Sequence, residues 1–158
     1  MSKYNIDIEQ RAQRGAELFE KGYNCSQSVV AAFADIYGLN EEIALRMSAS
    51  FGGGMGRMRL TCGTVTGMFM LAGLENGSTQ TDNMEAKTKN YATVQNLAKE
   101  FEKENGSITC ATLLGLRAGT IQPPQPSKRN AEYYRSRPCL TMVQSACRIY
   151  ARFLNSLD

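Results

Sequence analysis

Apolar residues recur along this chain at intervals of three and four, the period of a helix with one buried face. Between residues 7 and 21 the positions Ile8, Ala12, Ala16 and Phe19 share a face, charged residues lie between them, and Gly22 stops the run. Asn24 fits a helix N-cap, with Gln27 three residues on as its capping-box partner. Val29, Ala32, Phe33 and Ile36 then continue at helical spacing as far as Gly38. Asn40 predicts a third cap, followed by Glu41 and Glu42 in the first turn, where acids suit the macrodipole. Thr61 predicts the cap of a fourth helix, apolar on nearly every side through Leu74 and therefore central. The longest predicted helix covers 81–105, with Met84, Tyr91, Val94, Ala98 and Phe101 on one face and Asn105-Gly106 as its stop. Thr109 predicts the cap of a short turn, CATLLG. The last helix starts near Pro138 and turns Met142, Ala146, Ile149 and Phe153 one way. No segment alternates as a strand, and no internal repeat is present.

Two segments break the period. FGGGMGRM, residues 51–58, has too many glycines for a helix interior. Residues 118–138 hold all four prolines, with Lys128, Arg129, Arg135 and Arg137 against the single acid Glu132, and read as a loop or lid. The pattern thus predicts an all-α fold: a single-domain bundle over residues 1–158, of about six helices, with a Gly-rich loop and a Pro-rich basic loop.

Composition narrows the function. At 158 residues and 42% hydrophobic the chain can bury a sizeable core. A net charge of +3 is too weak to argue for nucleic acid or an anionic membrane surface. The polar N-terminus and the short apolar runs at 29–34 and 68–74 predict a cytoplasmic protein without membrane insertion. Histidine is absent, which excludes Ser-His and Cys-His nucleophile pairs, His metal ligands and CxxCH haem attachment within the chain.

In a reducing compartment, five cysteines read as metal-binding, catalytic or buried rather than as a disulfide framework. Cys25, Cys62, Cys110, Cys139 and Cys147 form no CxxC pair, which argues against a zinc ribbon, a ferredoxin run and a thioredoxin motif. For any single one, the plain reading is a small buried hydrophobe. Position adds to this. Cys25, Cys62 and Cys110 each follow a predicted cap, and Cys139 follows Pro138, so four thiols fall in first turns where free amides favour an anion. That placement alone is expected to lower a thiol pKa by about one unit from about 8.5. Cys147 lies mid-helix and reads as packing. Four thiolates together would repel, so a converging cluster needs protons, disulfides or a cation. A dithiol redox centre and a metal or iron–sulfur site with four thiolate ligands both satisfy this.

The glycine loop offers Gly53, Gly54, Gly56 and Arg57 as an anion or cofactor cradle; a sharp turn or close helix packing is the plainer reading. It is neither a Walker loop nor a dinucleotide fingerprint. Gly63, Gly67 and Gly73 predict close approach of another backbone or a cofactor. Arg57 and Arg59 read as solvent-facing charge, with assistance to Cys62 as the alternative. Tyr133 and Tyr134 read as loop residues that could cover a site, and the methionines as core filler. No carboxylate pair stands out as catalytic.

YNCSQSV around Cys25, FGGGMGRM, CGTVTG from Cys62, NGSITCATLLG around Cys110, and then Cys139 together resemble the redox-active family named for its C_GCAxxG_C_C cysteine pattern. The resemblance runs from about residue 8 to the final helix. It matches the family's cysteines to Cys25, Cys62, Cys110 and Cys139, and its glycines to Gly63 and Gly67, while Thr64 stands where a small Ala is usual. It implies a small helical protein with a redox or cluster role and an unidentified redox partner, often encoded near transporter genes. A similar segment occurs in a cytochrome that also holds an iron–sulfur cluster; its haem part has no counterpart here. Three functions remain open. One is thiol/disulfide electron transfer with Cys25 and Cys62 as the reactive pair and Cys110 and Cys139 completing the cluster. The second is an electron carrier holding iron–sulfur or metal on the same four. The third is a non-enzymatic binding module linked to a transport system. A homodimer is the base-rate expectation.

Overall fold

A computed structural model describes residues 1–158. Eight α-helices form: α1 (Ile8–Glu20), α2 (Cys25–Phe33), α3 (Glu41–Ser48), α4 (Gly63–Asn76), α5 (Met84–Asn105), α6 (Cys110–Leu113), α7 (Ala131–Ser136) and α8 (Cys139–Asn155). Six match the predicted helices, the one-turn α6 falls on the predicted CATLLG turn, and α7 is an addition inside the segment read as loop. There is no sheet, only an isolated antiparallel bridge between Thr61 and Thr109. No helix is long and apolar enough to cross a membrane.

The caps form where the polar residues allow them. Asn24 and Gln27 make both arms of a capping box at α2, and Asn40 caps α3 through Ile43 N–H. Gly38 takes the left-handed conformation that closes the short 3₁₀ turn after α2. Thr61 does not cap α4. It is held in the bridge to Thr109, and Cys62 itself is the N-cap residue.

Helix α2 is the centre of the bundle, buried from Ser28 through Phe33, with α1, α3, α4 and α8 around it. α1 lies along α8 and α5 packs across α4 and α8. The shared core holds Phe19, Phe33, Met68, Phe101 and Tyr150, all with almost no exposure. The buried face of α5 differs from the predicted one. Met84 and Tyr91 are 68% and 65% exposed, and the inward stripe is Thr93, Leu97 and Phe101. Thr93 tolerates burial because its hydroxyl accepts from Asn76 Nδ2 at 2.9 Å and donates to the Lys89 carbonyl. An apolar pattern cannot reveal a polar core position of this kind.

Two sets of contacts tie the helices together. Gly15 of α1 touches Cys147 of α8, where a Cβ would meet Cys147 Sγ at 2.6 Å and Val143 Cγ1 at 3.1 Å. Cys147 is fully buried, as its mid-helix position predicts. Elsewhere the Glu75 carboxylate accepts from Lys3 Nζ at 2.7 Å, Tyr4 Oη at 2.8 Å and Tyr37 Oη at 2.9 Å, and Tyr37 bonds Tyr150 Oη at 2.6 Å. Burial works to raise the Glu75 carboxyl, but the Lys3, Tyr4 and Tyr37 donors outweigh it and hold the group below its usual range.

Gly15→Ala should gain about 1 kcal/mol of helix propensity yet lose stability overall, because overpacking costs about 1–3 kcal/mol. Adding Cys147→Ala removes the clash, so a denaturant double-mutant cycle should return a favourable coupling of about 1 kcal/mol; strictly additive effects would refute the contact. A carboxyl depressed in the folded state stabilises above its unfolded pKa, about 4.3, and that stabilisation disappears as pH falls through the folded value. Glu75→Gln should therefore lower the urea midpoint most near pH 7 and progressively less toward pH 3.

Candidate functional site

Residues 53–57 all have positive φ. Gly53, Gly54 and Gly56 lie at 67°, 69° and 62°, and Met55 and Arg57 at 67° and 65°. Arg59 follows at 58°. Left-handed backbone costs an L residue about 1–2 kcal/mol, so Met55, Arg57 and Arg59 hold local strain, a condition typical of ligand sites. This left-handed coil turns the chain tightly enough that Gly54 packs on Cys110. A Cβ at 54 would stand 2.6 Å from Cys110 Cβ and 2.8 Å from Arg59 Cα. Gly63 does the same for Cys25, whose Sγ would lie 2.5 Å from an added Cβ. Gly53 N–H donates to the Cys25 sulfur.

The next residues pair with a distant segment. Cys62 N–H donates to the Ile108 carbonyl at 2.7 Å, Cys110 N–H to Leu60 at 2.6 Å, and Ala111 N–H to Arg59 at 3.2 Å. Cys62 and Cys110 each follow one partner of the antiparallel Thr61–Thr109 bridge, so the pairing places them diagonally across it, on one face. Asn24 ties Cys25 to the same region: its side-chain carbonyl caps α2, its amide bonds Ala49 at 2.9 Å, and it lies over Gly52. The 118–138 segment covers the remaining side. Its Pro124, Pro126, Ser127 and Tyr133 close a cavity of about 380 Å³ and lead into Cys139 at the start of α8.

Cys25, Cys62, Cys110 and Cys139 all line this cavity. Each is first in its helix except Cys62, the cap residue. Cys62 and Cys110 are buried; Cys25 and Cys139 are half-buried; all five cysteines are free thiols. The sulfurs sense one another: Cys139 and Cys110 both raise Cys25, Cys25 and Cys110 raise Cys62, and Cys110 raises Cys139. Of the glycines expected to cradle a ligand, Gly53, Gly56 and Gly63 line the cavity with Arg57. Gly54 and Gly67 do not. Gly54 backs Cys110, and Gly67 admits Val29 of α2, whose Cβ would be 3.1 Å from its own. Gly73 faces open space, so no close approach occurs there.

Two expectations are reversed. Helix starts predict lowered thiols. Burial instead pushes Cys25 up to about 11 and Cys62 to about 12, against the amide of Gly53 and the hydroxyl of Thr64 respectively. A dipole worth at most about 2 kcal/mol does not balance removal of a thiolate from water. Cys139 is also raised by burial, but Tyr133 and then Arg137 favour its thiolate. Arg59, read as solvent-facing, is only 4% exposed. Its Nη1 donates to Cys110 Sγ at 3.5 Å and its Nε to Gln122 Oε1 at 2.8 Å. Nothing local in GRMRL distinguishes Arg59 from Arg57; the bridge to residues 108–111 decides it.

No three His, Cys, Asp or Glu side chains are grouped so as to hold a metal ion. The arrangement offers two half-accessible thiols and two buried ones around a space with no carboxylate and no imidazole. Its accessible chemistry is therefore that of sulfur. In the reduced protein, iodoacetamide at pH 7 should alkylate Cys139 first and leave Cys147, pushed up to about 12 by burial, unmodified until unfolding. Because a raised pKa lowers the thiolate fraction, the Cys139 rate should climb through pH 9, and Tyr133→Phe should slow it. Peptide mapping reads this order; faster labelling of Cys62 than of Cys139 would contradict it.

No curated protein and no solved structure gives a significant match to the chain. The model of one family, described as "Putative redox-active protein (C_GCAxxG_C_C)", matches residues 23–153, which contain all four cavity cysteines. The chain belongs to this C_GCAxxG_C_C family.

Proposed function

We propose that the protein exchanges electrons by thiol/disulfide chemistry on Cys25, Cys62, Cys110 and Cys139. The observation that carries this reading is the convergence of four thiols, far apart in sequence, on one cavity that no carboxylate and no imidazole lines. In the forward step two thiols give up two protons and two electrons and form one S–S bond. A disulfide-bearing partner takes both electrons and both protons and leaves as two thiols. Burial that disfavours thiolates favours the disulfide as product, since it carries no charge. The accessibility order makes Cys139 the first thiol to meet a partner, with Cys25 next to it and Cys62 and Cys110 as the inner pair. This moves the opening step away from the Cys25–Cys62 pair, because Cys62 is buried.

A second reading keeps the four cysteines as ligands of an iron–sulfur cluster. Its support is the same convergence together with the cationic lining, which suits an anionic tetrathiolate centre. The side chains as placed do not group around a single metal ion, so no step is routed through one. Iron and acid-labile sulfide analysis after anaerobic purification separates the readings: stoichiometric iron selects the cluster.

For the dithiol reading, the unfolded reduced chain should show five thiols by colorimetric titration, one per cysteine. After mild oxidation of the folded protein the count should fall by two or four while Cys147 stays free. Cys139→Ser should slow that loss by about tenfold or more by removing the accessible nucleophile. A count unchanged by oxidation in the folded wild type overturns the proposal.

A further inference from the structure

Six of the seven arginines outside the cavity have acidic partners. Arg11, Arg14, Arg46, Arg135, Arg148 and Arg152 each lie within 4.0 Å of a carboxylate oxygen. Four of the other five, Arg57, Arg59, Arg129 and Arg137, line the cysteine cavity, and no Asp or Glu lines it. Their hydrogen bonds to side chains and backbone are to neutral acceptors. Arg57 donates to the Pro123 carbonyl at 2.7 Å and to Ser127 Oγ at 3.1 Å. Arg137 donates to the same Ser127 Oγ at 3.1 Å. Arg59 bonds Gln122 and Cys110, and Arg129 the carbonyls of Phe19 and Tyr23. These contacts orient the guanidinium groups and leave their charge uncancelled.

An uncompensated buried cation is unfavourable, and Arg59 is 4% exposed. Burial keeps Cys25 and Cys62 protonated at neutral pH, so these two thiols do not supply the counter-charge. The missing charge belongs to something that enters. Two guanidinium forks that meet at one hydroxyl, Arg57 and Arg137 on Ser127, suit a planar or tetrahedral oxyanion. The Tyr133 ring packs beside them, with the Arg137 guanidinium 5.1 Å and the Arg129 guanidinium 5.6 Å from its centroid. A volume of about 380 Å³ exceeds one ion and falls among small-molecule sites.

We propose that the cavity binds a small molecule through an oxyanion group, carboxylate or phosphate, held by Arg57 and Arg137 with Arg59 beneath it. Its assignment as the molecule the thiols act on rests on the dithiol function above; the binding itself does not.

Calorimetric titration of the reduced protein at low ionic strength tests this with two probes, inorganic phosphate and succinate. At least one should bind saturably at one site per chain, and which one identifies the oxyanion. Arg57→Gln and Arg137→Gln should each weaken that binding about tenfold or more, whereas Arg117→Gln, on the exposed surface, should not change it. Cys139→Ser should retain binding, so loss of redox activity and loss of the anion site are read separately. Folding of each variant is checked by its helical circular dichroism. Absence of binding of both probes to the wild type up to about 10 mM, or equal affinity in the two arginine variants and wild type, overturns the proposal.

Discussion

The absence of a Cβ at Gly54 and Gly63 is the constraint on which the site depends. Each glycine lets a cysteine from elsewhere in the chain come within van der Waals distance of backbone, Cys110 at Gly54 and Cys25 at Gly63. Any side chain at either position would push a wall of the cavity outward. Gly54 also needs its positive φ, so both space and conformation demand glycine there. Neighbouring segments hold the strain carried by Met55, Arg57 and Arg59. The backbone pairing of residues 59–62 with 108–111 and the bonds from Arg57 and Arg59 into the 122–127 loop fix the coil from both sides.

Burial, rather than helix polarity, sets the character of the thiols. Backbone amides favour a thiolate at Cys25, Ser26 from its own helix start and Gly53 from the glycine coil, but the enclosing prolines, Tyr133 and core residues exclude the water a thiolate requires. Cys25, Cys62 and Cys139 are thus held as neutral thiols at rest. The same enclosure makes an uncharged disulfide, or thiolates neutralised by a cationic centre, the comfortable alternative states. Around them the arginines form a shell of positive charge fastened by neutral acceptors. That combination distinguishes this cavity from the paired charges elsewhere on the protein.

Much of the fold is legible in the chain. The 3.6-residue period locates six helices, Asn24, Asn40 and Gly38 mark their ends, and Cys147 is correctly set apart as packing, where it meets Gly15. The α5 face is misplaced by hydropathy because Thr93 is buried by hydrogen bonding, a property that apolar periodicity does not encode. Thr61 resembles a cap but is not one, because its bridge partner, Thr109, lies 48 positions away.

The sequence by itself determined which residue types exist to do chemistry: five thiols, no imidazole, and a glycine run that excludes a helix. It also determined that Cys25 opens a helix, because the Asn24–Gln27 capping box is a local interaction; at Cys110 and Cys139 the helices start as expected, but Thr109 and Pro138 make no side-chain cap bond. Only the tertiary structure decided that these thiols and Cys62 face one cavity, that Arg59 is buried against Cys110, and that the basic loop closes over them. Those outcomes rest on desolvation and on contacts between segments dozens of residues apart, which no local pattern records.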